Sequence, residues 1–262
     1  MIKYFITVIF SCLLVLLPGC SKSKSGLKVA ATPIPHAQIL EYIKPDLRAQ
    51  GIDLTIIVTE DYNMPNRALS EHEIDANFFQ HLPFLEAQIA QFHYPIESIA
   101  KIEIEPMGIY SRKIDSLDDL KNNAVVAIPN DPTNEARALL LLQKKGLIRL
   151  NNINNLQATI LDIYTNQKNL KFIEADAAML PRSLDDVDIA VINTNYALEA
   201  GLDPANNALA LENQNSPYVN VLVVRTEDES RPDIQALKTA MTSDKMRSFI
   251  LDKYKGAVIP AF

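Results

Sequence analysis

The sequence predicts an α/β fold built on largely parallel sheets. First, apolar runs of strand length alternate with helical patterns along nearly the whole chain. Second, Ala124 to Gln143 contains one complete strand–turn–helix unit. Third, Ile74-Asp75-Ala76-Asn77-Phe78 and Val187-Asp188-Ile189-Ala190-Val191 each follow a helical stretch and lead into a polar turn. Five residues are too few to establish a repeat. If each half of the chain holds one such unit, two α/β lobes would face a shared cleft, because ligands sit at the carboxyl ends of parallel strands.

The elements follow in order. Lys3 precedes an apolar run from Tyr4 to Leu17, interrupted only by Thr7 and Ser11. The run is too short to span a bilayer comfortably, so residues 1–19 read as a signal peptide. Leu17-Pro18-Gly19-Cys20 resembles the bacterial lipobox, after which Cys20 would carry acyl chains and begin the mature protein. Residues 20–26 then form a polar tether. Leu27 to Thr32 reads as the first strand. Pro33-Ile34-Pro35 forces an extended turn. His36 to Gln50 has helical spacing at Ile39, Leu40, Ile43 and Leu47, with a kink expected at Pro45. Ile52 to Thr59 is a second strand, Pro65 to His72 a short helix, Asp75 to Phe79 a short strand, and Leu82 to Phe92 a helix. Ile99 to Tyr110 is extended through Pro106.

Ser116 caps a single helical turn. Ala124 to Ile128 is then a buried strand. Asp131 suits the N-cap and Pro132 the first position of a leucine-rich helix that Gly146 ends. Asn151 to Asn155 reads as a loop. Leu156 to Ile163 and Leu170 to Glu174 read as strands, Ala177 to Leu184 as a helix, and Ile189 to Ile192 as a strand. A helix to Ala200 is capped by Gly201. Tyr218 to Val224 is a strand, and helices near Asp233 to Met241 and Asp244 to Tyr254 finish the chain.

The chain has 262 residues, 48% hydrophobic and 22% charged, an ordinary globular balance. Its net charge of −7, without a basic stripe, argues against nucleic acid as a partner. Cys12 and Cys20 are the only cysteines, so the folded part has no disulfide or thiolate metal site. The four histidines, His36, His72, His81 and His93, show no i, i+4 pair. His36 and His81 could converge, but no third metal ligand is evident, and no metal or cofactor is expected. No nucleophile elbow, phosphate loop or dinucleotide fingerprint is present, and the sequence is not read as an enzyme. An adhesin or structural lipoprotein is the alternative of another class; it would need no cleft.

The strand–turn–helix carries the most informative charge. Arg137 lies one to two turns into the helix, between the small residues Ala136 and Ala138. Free N–H groups at a helix start attract anions, and a guanidinium there can hold a carboxylate through two parallel bonds. The alternative is a surface arginine paired with Glu135 or Asp131.

A family resemblance rests on residues spread along the chain. They are Val29-Ala30-Ala31-Thr32-Pro33 with His36, Asp61-Tyr62 with Pro65-Asn66, and Asp75 to His81; then Glu105-Pro106-Met107-Gly108, Pro129 to Asn134 with Arg137, and Leu180-Pro181-Arg182-Ser183-Leu184; and finally Val191-Ile192-Asn193-Thr194 and Ser216-Pro217-Tyr218-Val219-Asn220. In this order, behind a lipobox, the sequence resembles the methionine-binding lipoproteins of the NlpA/MetQ type, solute-binding components of ABC importers. The resemblance implies a type II-like periplasmic-binding-protein clamshell with two crossings. Lobe I would be residues 27–109 plus 219–262, and lobe II residues 110–218. The implied ligand is L-methionine, with a methionine-containing dipeptide or another small amino acid left open. The implied partners are an ABC permease with its ATPase subunit, and a bacterial cell membrane held through lipidated (palmitoylated) Cys20. The protein would be a monomer facing the periplasm or the cell exterior.

Position by position, the resemblance implies that Arg137 pairs with the ligand carboxylate. Asn193 and Asn220 would hydrogen-bond the amino-acid head, and Glu105 would face its ammonium. An amide both donates and accepts, which suits a zwitterion, although either asparagine read alone is equally a turn or cap residue. Tyr62, Phe79, His81 and Phe84 would form the side-chain slot, where aromatic edges suit a thioether. Phe84 stands where relatives often carry tyrosine. Ala136 stands where glycine is common, and its methyl is expected to narrow the approach to the anion-binding turn.

Overall fold

The computed structural model describes residues 26–213 and 216–262. The expected signal peptide and Cys20 lie outside the described residues, and no helix among these is long and apolar enough to cross a membrane. The first part runs β1 (Leu27–Ala31), α1 (Gln38–Ala49), β2 (Leu54–Val58), α2 (Met64–Ser70), β3 (Ala76–His81), α3 (Leu82–Phe92) and β4 (Ile96–Ile104). The middle holds β5 (Gly108–Tyr110), β6 (Val125–Pro129), α4 (Pro132–Lys144), β7 (Arg149–Leu150), β8 (Ile163–Thr165), β9 (Lys171–Ala175), α5 (Leu180–Ser183), β10 (Ile189–Ile192), α6 (Thr194–Glu199), α7 (Pro204–Asn207) and β11 (Ala208–Leu211). The end comprises β12 (Val219–Arg225), α8 (Pro232–Met241), α9 (Asp244–Tyr254) and β13 (Ile259–Pro260).

Two sheets define two lobes. The first has the order β13-β4-β12-β3-β1-β2, the second β11-β5-β10-β6-β9. Each has a parallel half, β2-β1-β3 in one and β9-β6-β10 in the other. Each also has antiparallel strands, β12 and β4 in the first and β5 and β11 in the second. The alternating pattern predicts the parallel half. The antiparallel half arises where the chain crosses between lobes, which the pattern does not encode. β5 pairs within the second sheet from Gly108 onward, so the first crossing is confined to Glu105-Pro106-Met107. Gly108 is required there, because a Cβ would lie 2.6 Å from the Tyr110 ring.

Both faces of each sheet are covered, which explains the uninterrupted apolar strands. On β6, Val126 and Ile128 face one core cluster while Ala127 faces another, and Ala190 on β10 joins Ala127. In the first lobe, Ile39, Leu40, Ile43 and Leu47 of α1 pack with Ile234, Leu237, Met246 and Ile250 of the two C-terminal helices. The chain's ends therefore close one core.

Three local expectations change. Pro45 does not split its helix: α1 runs through it unbroken. Glu41, whose carbonyl loses its partner, and Pro45 are both exposed, so water can satisfy that carbonyl. His36 precedes the helix, in an irregular turn over Pro33–Ala37. Leu156 to Asp162 is not a strand but a loop with a short turn, closed by the Asp162 carboxylate accepting from Thr159 N–H at 2.9 Å. Leu161 is largely open to solvent there, and only Ile163–Thr165 pairs, with β7.

Candidate functional site

A cavity of about 340 Å³ lies between the lobes. Tyr62, Phe79, His81, Phe84, Glu105, Arg137, Asn193 and Asn220 all line it. The carboxyl ends of strands supply much of the wall. β3 runs two residues beyond the expected strand and delivers His81. β10 ends just before Asn193, and the strand–turn–helix of β6 and α4 delivers Asn134 and Arg137.

The helix start is built as the sequence indicates. The Asp131 carboxylate accepts from Asn134 N–H at 3.0 Å, capping α4. It also accepts from the Asn134 side-chain amide at 2.9 and 3.0 Å. This fixes the Asn134 carbonyl oxygen, which accepts from Asn193 Nδ2 at 2.8 Å and from His81 Nε2 at 3.1 Å. His81 Nδ1 accepts from Phe84 N–H at 3.1 Å, so the ring proton is on Nε2. One amide thus ties the first lobe to the second. Asn193 Oδ1 is buried and has no partner among the described residues.

Arg137 pairs with neither Glu135 nor Asp131. Its Nε and Nη2 donate to Glu212 at 2.6–3.3 Å, and Nη2 donates to the Glu105 carbonyl at 2.7 Å. The guanidinium lies 4.5 Å over the Tyr218 ring. Nη1 makes no hydrogen bond among the described residues. Glu135 instead accepts from Ile160 N–H at 2.9 Å. Ala136 packs into the second lobe's core and does not line the cavity, so its methyl does not narrow the approach.

Aromatic rings close another wall. Tyr62 lies 5.9 Å from Phe79, 6.0 Å from Phe84 and 5.1 Å from Tyr196. Its hydroxyl donates to Asn195 Oδ1 across the cleft at 2.7 Å, and the Tyr196 hydroxyl donates back to the Glu60 carbonyl at 3.1 Å.

The remaining wall is acidic. Asn220 Nδ2 donates to Glu103 Oε1 at 2.6 Å and to Glu105 Oε1 at 3.0 Å. His36 Nε2 lies 3.4 Å and 3.2 Å from the same two oxygens. The Thr32 hydroxyl is 2.6 Å from His36 Nδ1, which holds the ring in place, and His36 Nε2 is buried without a hydrogen-bond partner among the described residues. His36, Glu103 and Glu105 present donor atoms within 4.8 Å of one another. His81 is not part of this cluster, so the convergence expected of His36 and His81 gives way to one of His36 with two acids. In this arrangement the Asn220 and His36 nitrogens fill the space between the carboxylates.

The NlpA lipoprotein family matches this chain over residues 27–262. The chain belongs to the NlpA lipoprotein family. It is 41% identical over 249 residues to the D-methionine-binding lipoprotein MetQ of Salmonella typhi, covering 93% of this chain and 92% of that one. The solved structure of a Burkholderia cenocepacia nutrient binding protein bound to methionine has a TM-score of 0.87 at 43% identity, covering 90% of this chain and all of the other. A Coxiella burnetii ABC-transporter periplasmic substrate-binding protein gives a TM-score of 0.85 at 47% identity, with the same coverage of both chains. The two-lobed architecture is that of these binding proteins.

In this NlpA-family cleft, burial dominates the electrostatics. Burial, then the Arg137 charge, pushes His81 down to about 3, so its imidazole is neutral. Burial lowers His36 against the pull of Glu105. Burial pushes Glu103 and Glu105 up to about 8 each, with Glu103 adding to the rise of Glu105. Burial also opposes the charge of Arg137, but Glu212 outweighs it and the guanidinium stays charged. The cleft therefore offers one cationic edge, unpaired amide oxygen and an acidic corner, a set suited to a zwitterion.

Sequence reasoning missed Glu103, Asn134, Asn195, Glu212 and Tyr218. Glu103 and Glu105 sit two apart on an extended segment, a spacing that signals a shared face. Asn134 lies in the quoted turn, three residues after a candidate cap. Glu212 carries no local signal.

Proposed function

We propose that this NlpA-family protein is a lipid-anchored solute-binding protein that captures L-methionine between its lobes and delivers it to an ABC permease. The observation that carries this is the presence, in one cavity, of Arg137 and of Asn193 with its buried, unpartnered Oδ1 beside the Tyr62, Phe79 and Phe84 rings. A buried acceptor left unpaired costs about 1–3 kcal/mol, which a ligand N–H group would recover. The guanidinium edge would take the ligand carboxylate, and aromatic edges favour a thioether by about 0.3–1.5 kcal/mol. The methionine-bound Burkholderia cenocepacia neighbour supports the same reading.

The residue roles follow. Arg137 anchors the carboxylate. Asn193 and Asn220 orient the head group, and Glu105 faces the ammonium. Tyr62, Phe79, His81 and Phe84 enclose the side chain. Residues 27–104 plus 219–262 act as one lobe and 108–218 as the other, so the first boundary falls just before the expected 109/110 because Gly108 and Ile109 pair in the second sheet. Closure excludes water from the charged contacts. No covalent chemistry is involved. Cys20 supplies a membrane anchor, with more than one acyl chain needed for stable attachment. The protein acts as a monomer that presents its closed form to the permease and ATPase.

Mass analysis of small molecules released from the purified protein tests the reading, with L-methionine expected. Calorimetric titration with L-methionine should give one site per chain. Recovery of a sugar or a metal, together with no heat on methionine addition, would overturn it.

A further inference from the structure

The acidic corner carries more charge capacity than the proposed function uses. Glu103 and Glu105 project from adjacent same-face positions at the end of β4 and the start of the crossing, and both are buried. Their Oε1 atoms converge on the same two nitrogens, Asn220 Nδ2 and His36 Nε2. Glu105 lines the cavity, whereas Glu103 lies behind it with Oε2 buried and unpartnered. Two adjacent carboxylates without a full positive charge between them cannot both ionise at low cost.

The charges facing the pair have other commitments. Arg137 of α4 is matched by Glu212, and it reaches only the Glu105 backbone carbonyl. His36, from the turn before α1, is held neutral by burial. Tyr254 of α9 donates to Pro35 O and Gln38 Oε1, and Tyr62, after β2, donates to Asn195; both phenols are pushed up by burial and stay uncharged. The Arg137 charge lowers both acids, but burial outweighs it and both stay raised.

We propose that Glu103 is a further binding residue: with Glu105 it forms a two-carboxylate site that is protonated in the empty cavity and releases one proton when the ligand's α-ammonium arrives. This rests on the methionine reading. In the empty cavity both acids are neutral. The ammonium settles against Glu105 and Asn220 Oδ1, one carboxyl proton leaves to solvent, and the two acids share the other. One negative charge then faces one positive charge, so charge and protons balance. Burial raises both acids, consistent with this order. The site selects a protonated primary amine, since an N-acylated ligand has no charge to exchange for the proton.

The test is calorimetric titration of the full chain with L-methionine in buffers of different protonation enthalpy, between about pH 6 and about pH 7. Close to one proton released per ligand is expected, with affinity rising by up to about tenfold per pH unit. In Glu103→Gln, Glu105 loses its like-charged neighbour and gains an amide donor. Burial still raises Glu105, but the part of the rise that Glu103 adds is gone, so the release should fall clearly below one proton and the pH slope should flatten. N-acetyl-L-methionine should bind at least about a hundredfold more weakly and release no proton. If Glu103→Gln does not fold, the wild-type buffer series and the acetylated ligand decide. Methionine binding with buffer-independent heat, undiminished release in Glu103→Gln, or tight binding of N-acetyl-L-methionine would each overturn this inference alone. Absence of any methionine binding would instead overturn the ligand reading beneath it.

Discussion

At the scale of single residues, Arg137 decides most. Its position is legible in the sequence: a lone cation between alanines, just inside a helix that follows a capped turn. Its restraint is not. Glu212, 75 residues away, holds one edge of the guanidinium and Tyr218 supports its face. The pairing is invisible in the sequence because Glu212 lies in a segment without helical or strand period. Arg137→Ala should weaken methionine binding by about 2–5 kcal/mol, since it leaves Glu212 and the ligand carboxylate uncompensated in a buried site. Calorimetry measures this, and an unchanged affinity would remove Arg137 from the site. Glu212→Gln leaves the guanidinium in place but loosens its direction. Its affinity loss should fall between wild type and Arg137→Ala, and an intact affinity would mean that Glu212 does not steer the arginine.

At the scale of elements, the turn before α4 links stability to binding. Asp131 caps the helix and also orients Asn134, which in turn holds His81 and Asn193. Asp131→Ala should lower the unfolding free energy by about 0.5–2 kcal/mol, the usual value of a lost cap. It should also weaken binding, because the Asn134 amide is then free to rotate. Denaturant unfolding and titration on the same sample separate the effects. Loss of stability with unchanged affinity would show that Asn134 orientation does not matter. This cap is readable from four residues, because capping is local chemistry. The short echo also corresponds to equivalent strands: β3 and β10 each sit between a parallel and an antiparallel neighbour, and they end at His81 and just before Asn193. By contrast, the Leu156 to Ile163 stretch reads as a strand on composition. Pairing decides otherwise, because the strand beside it is only two residues long.

At the scale of the whole molecule, the buried titrating groups shape stability from both sides. His81 falls from 6.5 when unfolded to about 3 when folded, so the unfolded chain binds more protons between those values. Its contribution is present above about pH 6.5 and is lost as pH falls toward 3. His36 acts in the same sense. Glu103 and Glu105 rise from 4.5 to about 8, so the folded protein binds more protons in that range. Their contribution is full below about pH 4.5 and is lost as pH climbs through 8. Stability should therefore peak at mildly acidic pH and decline on both flanks. Glu103→Gln removes one titrating acid, so it should flatten the alkaline flank while leaving the acid flank in place. His81→Gln should do the reverse, its amide still able to donate to Asn134. Saturating methionine at about a hundred times its Kd should add about 2.7 kcal/mol near neutral pH. The increment should shrink below about pH 6, where the acid pair holds its protons most tightly against the incoming ammonium. Thermal melts of the three proteins across pH, with and without methionine, measure these slopes. An alkaline flank unchanged in Glu103→Gln would mean that the acid pair does not govern it.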